Sequence, residues 1–374
     1  MTVLTAIGLM SGTSLDGVDA AILKTDGEAV IEPGTAHFRP FSRDLKIFIR
    51  RAIKAALEGR DGAADIGKAA GEVTAAHAAA VVELLDKAGL KRTAIDVIGM
   101  HGQTILHRPK RAPESVGRTW QIGDGGTLAA ETRIDVVCDF RSADIAEGGE
   151  GAPFAPLYYA ALVRALRCER PVGVLNIGGV ANVTYVPQDG GDLDLIAFDC
   201  GPGNDLIDQW TDLKLGEPMD RDGALARSGQ VHSDILRMML LNPYLRRRPP
   251  KSLDRYDFKL DPVLHLSVPD GAATLTAFTA ACVRASIAHL PEEPGAWIVS
   301  GGGRRNPSMM EALAMALQSD VRTAEAIGWR GDYLEAECFA YLAVRSLRKL
   351  PLSFPNTTRV PRPMRGGVHC RAPA

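Results

Sequence analysis

The feature that most constrains the fold is a hairpin with a glycine turn that occurs once in each half of the chain. In the first, the apolar segment 3–9 leads through a turn of small residues into a second apolar segment, 18–24. In the second, residues 172–186 contain an apolar strand, a glycine turn and a strand rich in β-branched residues. Two such hairpins in opposite halves predict a duplicated architecture that holds one polyphosphate from both sides.

The first turn has the composition of an anion site. Small residues bring fixed backbone N–H groups and hydroxyls close to a phosphate, with no large side chain in the way. An ordinary hairpin turn rich in Ser and Gly is the alternative interpretation. The carboxylates of Asp16 and Asp19 suit an anion site only where a cation or a hydroxyl lies between them and the anion. The candidate phosphate-binding residues are Ser11, Gly12, Thr13, Ser14, Leu15, Asp16, Gly17, Val18 and Asp19.

Two further glycine turns complete a predicted nucleotide site. The second hairpin contributes Asn176, Gly178, Gly179 and Asn182, and a third strand, 297–300, runs into three glycines. We assign that third turn, Gly301, Gly302 and Gly303, to the nucleoside end of the ligand. None of the three turns matches a Walker or a Rossmann fingerprint.

Composition excludes several classes of function. A formal net charge of -2 argues against a general nucleic-acid or membrane-surface partner. The six cysteines are scattered without a CxxC or Cys/His cluster, which indicates neither a zinc site nor a disulfide framework. No run of about 18 apolar residues occurs. The sequence therefore predicts a cytoplasmic protein without a nucleic-acid or membrane partner.

Strands and helices alternate along the chain, which predicts an α/β fold. The hairpins at the start of each half predict mixed rather than all-parallel sheets. A length of 374 residues suffices for two domains. We expect one domain over residues 1–135 and a second over 136–357, with the tail 358–374 packed on the first.

Asp199 is the candidate catalytic residue. It ends the apolar strand 196–200 and precedes Gly-Pro-Gly-Asn, where open α/β sheets bind ligands. A partly desolvated carboxylate there would act as a general base near neutral pH. A turn aspartate satisfied by backbone N–H groups is the alternative.

Further polar residues follow other predicted strands. His101, Gln103 and Thr104 come after the strand 97–100 and have the composition of a hydroxyl-binding set, although a structural histidine is the alternative. Arg141 follows the strand 134–139 and offers a planar fork for a carboxylate or, alternatively, for an interdomain salt bridge. Glu335 begins the last long helix, where an exposed helix-stabilising role is the default.

Together these motifs resemble the anhydro-N-acetylmuramic acid kinase family, from about residue 7 to residue 343. Such a series of motifs in one order is highly specific. The segments that carry the resemblance are 10–19, 99–104, 121–123, 137–141, 151–153, 176–179, 198–204, 220–223, 228–230, 251–252 and 300–303.

The resemblance implies a fold and a reaction. The fold would be that of the actin–hexokinase–chaperone superfamily, with two ribonuclease-H-like domains, mixed sheets and an interdomain ATP cleft. The activity would be ATP-dependent phosphorylation of 1,6-anhydro-N-acetylmuramic acid, coupled to hydrolysis of its anhydro ring, with Asp199 as catalytic aspartate. Glu335 would join the sugar site. Mg²⁺ would bridge the phosphates, with Asp16 or Asp19 as a ligand through water, and the protein would be a homodimer.

Three places depart from the family pattern. Glu150 replaces the usual Gln of a Gly-Gly-Gln-Gly-Ala-Pro loop, and the segment 123–125 replaces the usual Gly-Asn-Pro. The tail from Pro355 onward lacks the family's usual ending. Two alternatives therefore stay open: a kinase of another amino sugar, or a nucleotide-gated binding protein without sugar chemistry.

Overall fold

The computed structural model describes residues 2–110, 116–253 and 257–373. The chain divides into two compact units. Unit 1 comprises residues 1–165 and 333–374, and unit 2 comprises residues 166–332.

Both units combine strands with helices. In the described residues the strands are β1 (Leu4–Ser11), β2 (Gly17–Thr25), β3 (Ile31–Pro40), β4 (Val97–Arg108), β5 (Arg118–Ile122), β6 (Val136–Cys138), β7 (Val172–Ile177), β8 (Val180–Val186), β9 (Ile196–Pro202), β10 (Ala296–Ser300), β11 (Asp320–Thr323) and β12 (Val368–Cys370). The α-helices are α1 (Arg43–Leu57), α2 (Ala64–Ala88), α3 (Gly125–Thr132), α4 (Ser142–Ala146), α5 (Ala155–Leu166), α6 (Asp205–Leu215), α7 (Ala224–Ser228), α8 (Ser233–Met239), α9 (Val268–Ser286), α10 (Pro307–Leu317), α11 (Leu334–Leu347) and α12 (Pro355–Thr358).

The two sheets share one topology. The sheet of unit 1 has the order β12-β6-β4-β1-β2-β3, with β5 paired to β4, and that of unit 2 has the order β11-β10-β7-β8-β9. In each, three strands form an antiparallel meander, and the first of them pairs in parallel with a later strand on its other side. The predicted α/β class with mixed sheets is confirmed, and so is the duplication.

The core of unit 1 is built on β1 and β4. Helix α1 buries residues at helical spacing, with Ser42 as its N-cap, and packs against α2 and the sheet. Helix α11 lies directly on the backbone of both strands at two glycines. A Cβ at Gly8 would lie 1.7 Å from Ala336 O, and one at Gly99 would lie 2.0 Å from Phe339 O. These two positions therefore require glycine, and they fix where α11 begins relative to β4.

In unit 2 the core lies around fully buried aromatic side chains, among them Trp210, Trp297 and Phe278. Helix α9 supplies much of this core. With the turn that follows it, the helical segment 268–289 is long and apolar enough to cross a membrane by length and composition, and 67% of its apolar 18-residue window is buried inside the structure. Such burial is typical of a core helix.

The division between the units differs from the expected boundary near residue 135. Strand β6 pairs in parallel with β4, and β12 pairs antiparallel with β6, so a cut at 135 would separate β6 from its sheet. The structure instead divides the chain after Ala165 and again before Tyr333. The last long helix therefore belongs to unit 1, and so does the tail 358–374.

One local expectation is wrong, and one strand was not predicted. The strand predicted over 97–100 continues to Arg108, because a glycine at φ +75°, Gly102, lets the strand bend without ending. The residues from His101 to Thr104 thus lie inside β4 rather than at its end. Strand β3 was not expected, since its sequence lacks a continuous apolar or alternating pattern.

Candidate active site

The first glycine turn presents small polar groups to solvent while its carbonyl oxygen is bound internally. Thr13, Ser14 and Asp16 are exposed, and Gly12 is half-buried. The Gly12 carbonyl accepts hydrogen bonds from Leu15 N (3.2 Å) and from Gln103 Nε2 (3.2 Å). With that oxygen engaged, the turn offers hydroxyls to an anion, as expected for a phosphate site.

Other predicted members of this turn are buried and shape it from inside. Leu15 adopts φ +59° and places its side chain in the core. Gly17 packs against the backbone of β3, Val18 is a core residue of β2, and Asp19 is half-buried on the same strand. Ser11 Oγ donates to Gly102 O at 3.0 Å and ties the end of β1 to β4.

Gln103 supports the turn rather than facing a ligand. Its side chain is 0% exposed, and its amide nitrogen lies on the Gly12 carbonyl described above. A group with no solvent access cannot touch a sugar in this conformation. Thr104 is half-buried, and its hydroxyl accepts a hydrogen bond from Gln121 Nε2 at 3.2 Å.

His101 and Arg141, predicted separately, lie together. His101 Nδ1 donates to Gly102 O (2.7 Å), and its Nε2 accepts from Arg141 Nε (3.0 Å) and from a terminal nitrogen of the same guanidinium (2.9 Å). A carbonyl only accepts and a guanidinium only donates, so these contacts fix the neutral Nδ1–H tautomer. Burial, and secondarily the Arg141 charge, holds the pKa of His101 well below its usual value.

Arg141 keeps donors for a ligand. Its other terminal nitrogen donates to Gly151 O at 2.6 Å, and the guanidinium lies 5.5 Å from the ring centroid of Phe154. Three of its five N–H groups are thus engaged within the described structure, which leaves two. Because the histidine beside it is neutral, Arg141 is the cation of this cluster, although burial lowers its pKa from the ordinary value.

Glu335 lies in the first turn of α11, near the same cluster. The ring of Phe339, one turn further along, stacks at 4.7 Å from the ring of His101. Glu335 is exposed, yet desolvation by surrounding protein raises the pKa of its carboxyl, while Arg141 lowers it. A solvent-accessible carboxyl with a raised pKa beside a cation is typical of a ligand site.

In unit 2 a row of polar residues crosses four adjacent strands. Ser300 of β10 pairs with Asn176 of β7, Asn176 pairs with Asn182 of β8, and Asn182 pairs with Asp199 of β9. Directly paired residues point to the same face of a sheet. The predicted catalytic aspartate therefore stands in line with both predicted phosphate-turn asparagines. A register shift beside Asn182 places Asp199 next to an irregularity in the ladder.

The main chain around Asp199 is fixed on both sides. Its N–H donates to Lys251 O (3.0 Å), and its carbonyl accepts from the Tyr244 hydroxyl (2.8 Å). One carboxylate oxygen, Oδ2, accepts from Leu253 N (2.8 Å). The side chain is half-buried, so it keeps solvent access while its backbone is held.

Lys251 lies beneath this arrangement. It is 3% exposed, and its ammonium donates to Tyr244 O (3.2 Å) and Leu245 O (3.1 Å). Burial lowers the pKa of Lys251 to about 8. Sequence reasoning placed Lys251 in a family motif without a role. Only the fold shows that it braces the turn that holds Asp199.

The glycine turns of unit 2 converge. Gly203 N donates to Gly179 O and Asn204 N to Gly178 O, both at 2.8 Å, so the carbonyls of the second hairpin turn are engaged. Gly301 adopts φ +74° with its α-carbon against the Asn176 side chain. These contacts bring the predicted phosphate turn and the predicted nucleoside turn, Gly301 to Gly303, to one end of the sheet.

Arg304 braces the third turn. It is 4% exposed in its side chain, donates to Gly301 O (2.8 Å), and forms ion pairs with Glu325 and Asp332, each at 2.7 Å. Sequence reasoning missed this residue, because its two carboxylate partners lie more than 20 residues away. The arrangement in unit 2 thus has a fixed carboxylate and backbone turns suited to phosphate chemistry.

Comparisons with known proteins agree with this chemistry. A family model described as anhydro-N-acetylmuramic acid kinase matches residues 4–370. A relative of that name from Nitrobacter winogradskyi is 48% identical over 98% of this chain and 100% of the relative, and one from Rhizorhabdus wittichii is 48% identical over 98% and 99%. A solved structure, component A of (R)-2-hydroxyglutaryl-CoA dehydratase from Acidaminococcus fermentans, shares the fold with a TM-score of 0.50 at 13% identity, over 92% of this chain and 99% of that one. The chain therefore belongs to the anhydro-N-acetylmuramic acid kinase family.

Proposed function

We propose that this chain uses ATP and water to convert 1,6-anhydro-N-acetylmuramic acid into N-acetylmuramic acid 6-phosphate and ADP. The observation that carries the proposal is the half-buried carboxylate of Asp199, fixed by its main chain, in a chain matched over residues 4–370 by this kinase family. The substrate has no free 6-hydroxyl, so phosphorylation requires the internal ether to open.

Asp199 is the proposed general base. It takes a proton from water as the water oxygen attacks the anomeric carbon and the bond from that carbon to the 6-oxygen breaks. The released 6-oxygen attacks the γ-phosphorus, and ADP leaves. The proton on Asp199 passes to solvent, so each turnover consumes one water and one ATP. Positioning and charge stabilisation contribute most of the catalysis in such transfers.

The cluster in unit 1 is proposed to bind the sugar. The two remaining N–H groups of Arg141 suit the carboxylate of a muramic acid, because a guanidinium pairs with a carboxylate in a planar fork. Glu335 accepts hydrogen bonds from sugar hydroxyls. His101 accepts hydrogen bonds from Arg141 and thereby orients it. Because its pKa is lowered, His101 stays neutral and Arg141 is the cation that meets the sugar carboxylate.

ATP is proposed to bind through the glycine turns. The described residues contain no group of three or more His, Cys, Asp or Glu side chains placed to hold a metal ion. A Mg²⁺ ion that keeps most of its water and binds phosphates fits such a site, since it needs only one or two carboxylates. Asp16, exposed on the first turn, or Asp19 would hold it through water, and the ion would neutralise phosphate charge.

The test is a product analysis in ¹⁸O-labelled water with ATP and the anhydro sugar. We expect ADP release and a 6-phosphate whose 6-oxygen carries no ¹⁸O, because water attacks the anomeric carbon and the original 6-oxygen is retained. Activity with the reducing sugar alone would instead identify a kinase of another amino sugar. Nucleotide turnover without a phosphorylated sugar would identify a nucleotide-gated binding protein.

Two further properties are proposed. The described cysteines are all free, as in proteins of a reducing compartment, which supports a cytoplasmic location. A homodimer follows from the family resemblance. Light scattering of the purified protein tests it directly.

A further inference from the structure

A buried aspartate of unit 1 joins two segments that are far apart in sequence. Asp144 is 2% exposed, and its two carboxylate oxygens accept from different donors. Gly151 N donates to Oδ1 at 2.7 Å, and the Thr358 hydroxyl donates to Oδ2 at 2.6 Å. Asp144 therefore connects the loop 147–151 to the C-terminal segment 353–362.

The same loop and segment are held together at two more points. Glu150 N donates to Thr358 O at 2.6 Å, and the Glu150 carboxylate lies 3.4 Å from the guanidinium of Arg359. Further along, Arg362 pairs with Glu147 at 3.1 Å. The Glu150 side chain is nearly buried, at 11% exposure, so its charge needs a counter-ion more than a surface carboxylate does. Arg359 supplies that counter-ion.

The loop in turn holds Arg141. Gly151 O accepts a hydrogen bond from Arg141 at 2.6 Å, and two further hydrogen bonds of the guanidinium go to His101. A shift of the loop would therefore move the oxygen that fixes one side of the guanidinium. Displacements of about 1 Å at a substrate-positioning group are costly to catalysis and binding.

We propose that Thr358 and Arg359 are positioning residues, through which the C-terminal segment 353–362 orients Arg141 for the sugar carboxylate. Arg359 also neutralises Glu150, so that the substrate is not repelled by a carboxylate in the loop. The proposal rests on the proposed function of Arg141. It explains how this chain accommodates Glu150 together with its atypical tail.

The charge pair gives the sharpest test. We expect Arg359→Gln to raise the KM for the anhydro sugar about three- to tenfold, with kcat and the KM for ATP within about twofold of wild type. Combining it with Glu150→Gln removes the carboxylate with which Arg359 pairs and is expected to restore the sugar KM. Arg365→Gln, an exposed arginine of the same tail, is the matched control with an unchanged KM.

The hydroxyl gives an independent test. Thr358→Val leaves the buried Asp144 without one donor and is expected to raise the sugar KM about tenfold. Thr358→Ser keeps the donor and is expected to behave as wild type. If the valine variant folds poorly, the Arg359→Gln variants decide the matter. An unchanged sugar KM in Arg359→Gln, or a double variant as impaired as the single one, would overturn the proposal.

These outcomes are separable from a failure of the proposed function. If wild-type protein does not turn over the anhydro sugar, the function is wrong. The orientation of Arg141 is then read from its Nε–H resonance by NMR. We expect that resonance to shift in Arg359→Gln and to return in the double variant, whereas its insensitivity to both would reject the positioning role.

Discussion

Replacing Asp199 with asparagine removes the proposed base while changing little else. The new amide oxygen can accept the bond from Leu253 N that Oδ2 accepts at 2.8 Å. The main chain stays anchored by the bonds to Lys251 O and from the Tyr244 hydroxyl. Exchanging one charged hydrogen bond for a neutral one costs about 1 kcal/mol of the free energy of unfolding, out of about 5–15 kcal/mol for a typical protein.

Loss of a general base lowers turnover by about 100-fold or more, equivalent to at least about 2.7 kcal/mol of transition-state stabilisation. The expected loss of activity thus exceeds what the small loss of stability explains. The assay follows ADP release at saturating ATP and anhydro sugar, with unfolding by urea measured in parallel. Asp189→Asn, an exposed residue in the loop after β8, is the matched control. Turnover of Asp199→Asn within tenfold of wild type would refute the base assignment.

Two other substitutions test the supporting structure. Lys251→Met removes a buried amine whose pKa is lowered from 10.5 to about 8. Between these two pH values the unfolded wild-type chain binds more protons than the native one, so the free energy of unfolding of the wild type should rise with pH relative to that of the variant. Urea unfolding at several pH values measures this difference. Equal pH slopes would contradict this environment. Gly301→Ala would place a Cβ 2.3 Å from Asn176 Oδ1 at a backbone conformation essentially confined to glycine, and should raise the KM for ATP at least about tenfold while the sugar KM stays unchanged. Gly328→Ala is the control, because Gly328 also has a positive φ but an added Cβ there would meet nothing within 4 Å. An equal rise of the ATP KM in both variants would show that backbone strain alone is responsible.

The periodic parts of the sequence were predicted well. Helix α10 has the expected bounds, and the hairpin of β7 and β8 lies where the glycine turn indicated. These elements combine regular apolar spacing with a cap or a turn residue, so local sequence is sufficient. Strand β3 and the tail strand β12 lack such patterns and exist because a neighbouring strand pairs with them.

The candidate site was predictable in its residue types but not in its contacts. Asp199, His101 and Arg141 were all singled out from their places after apolar strands. Their hydrogen-bond partners could not be predicted. The Gly151 carbonyl meets Arg141, and the Lys251 carbonyl meets Asp199 N, only in the folded chain. Gln103 shows the converse, since this polar residue two positions after His101 supports the first glycine turn from inside.

The two units differ in the side chains that their shared topology places on the three strands of each meander. Asn176, Asn182 and Asp199 on β7, β8 and β9 of unit 2 correspond in strand order to Met10, Asp19 and Phe38 on β1, β2 and β3 of unit 1. On the third strand of the meander, unit 1 has the aromatic side chain of Phe38, whereas unit 2 has the proposed base, Asp199. The shared topology therefore supplies the turns twice, while the proposed base stands on a meander strand of only one unit. A carboxylate introduced as Phe38→Asp should consequently not rescue Asp199→Asn, because β3 lacks the anchoring bonds that hold Asp199.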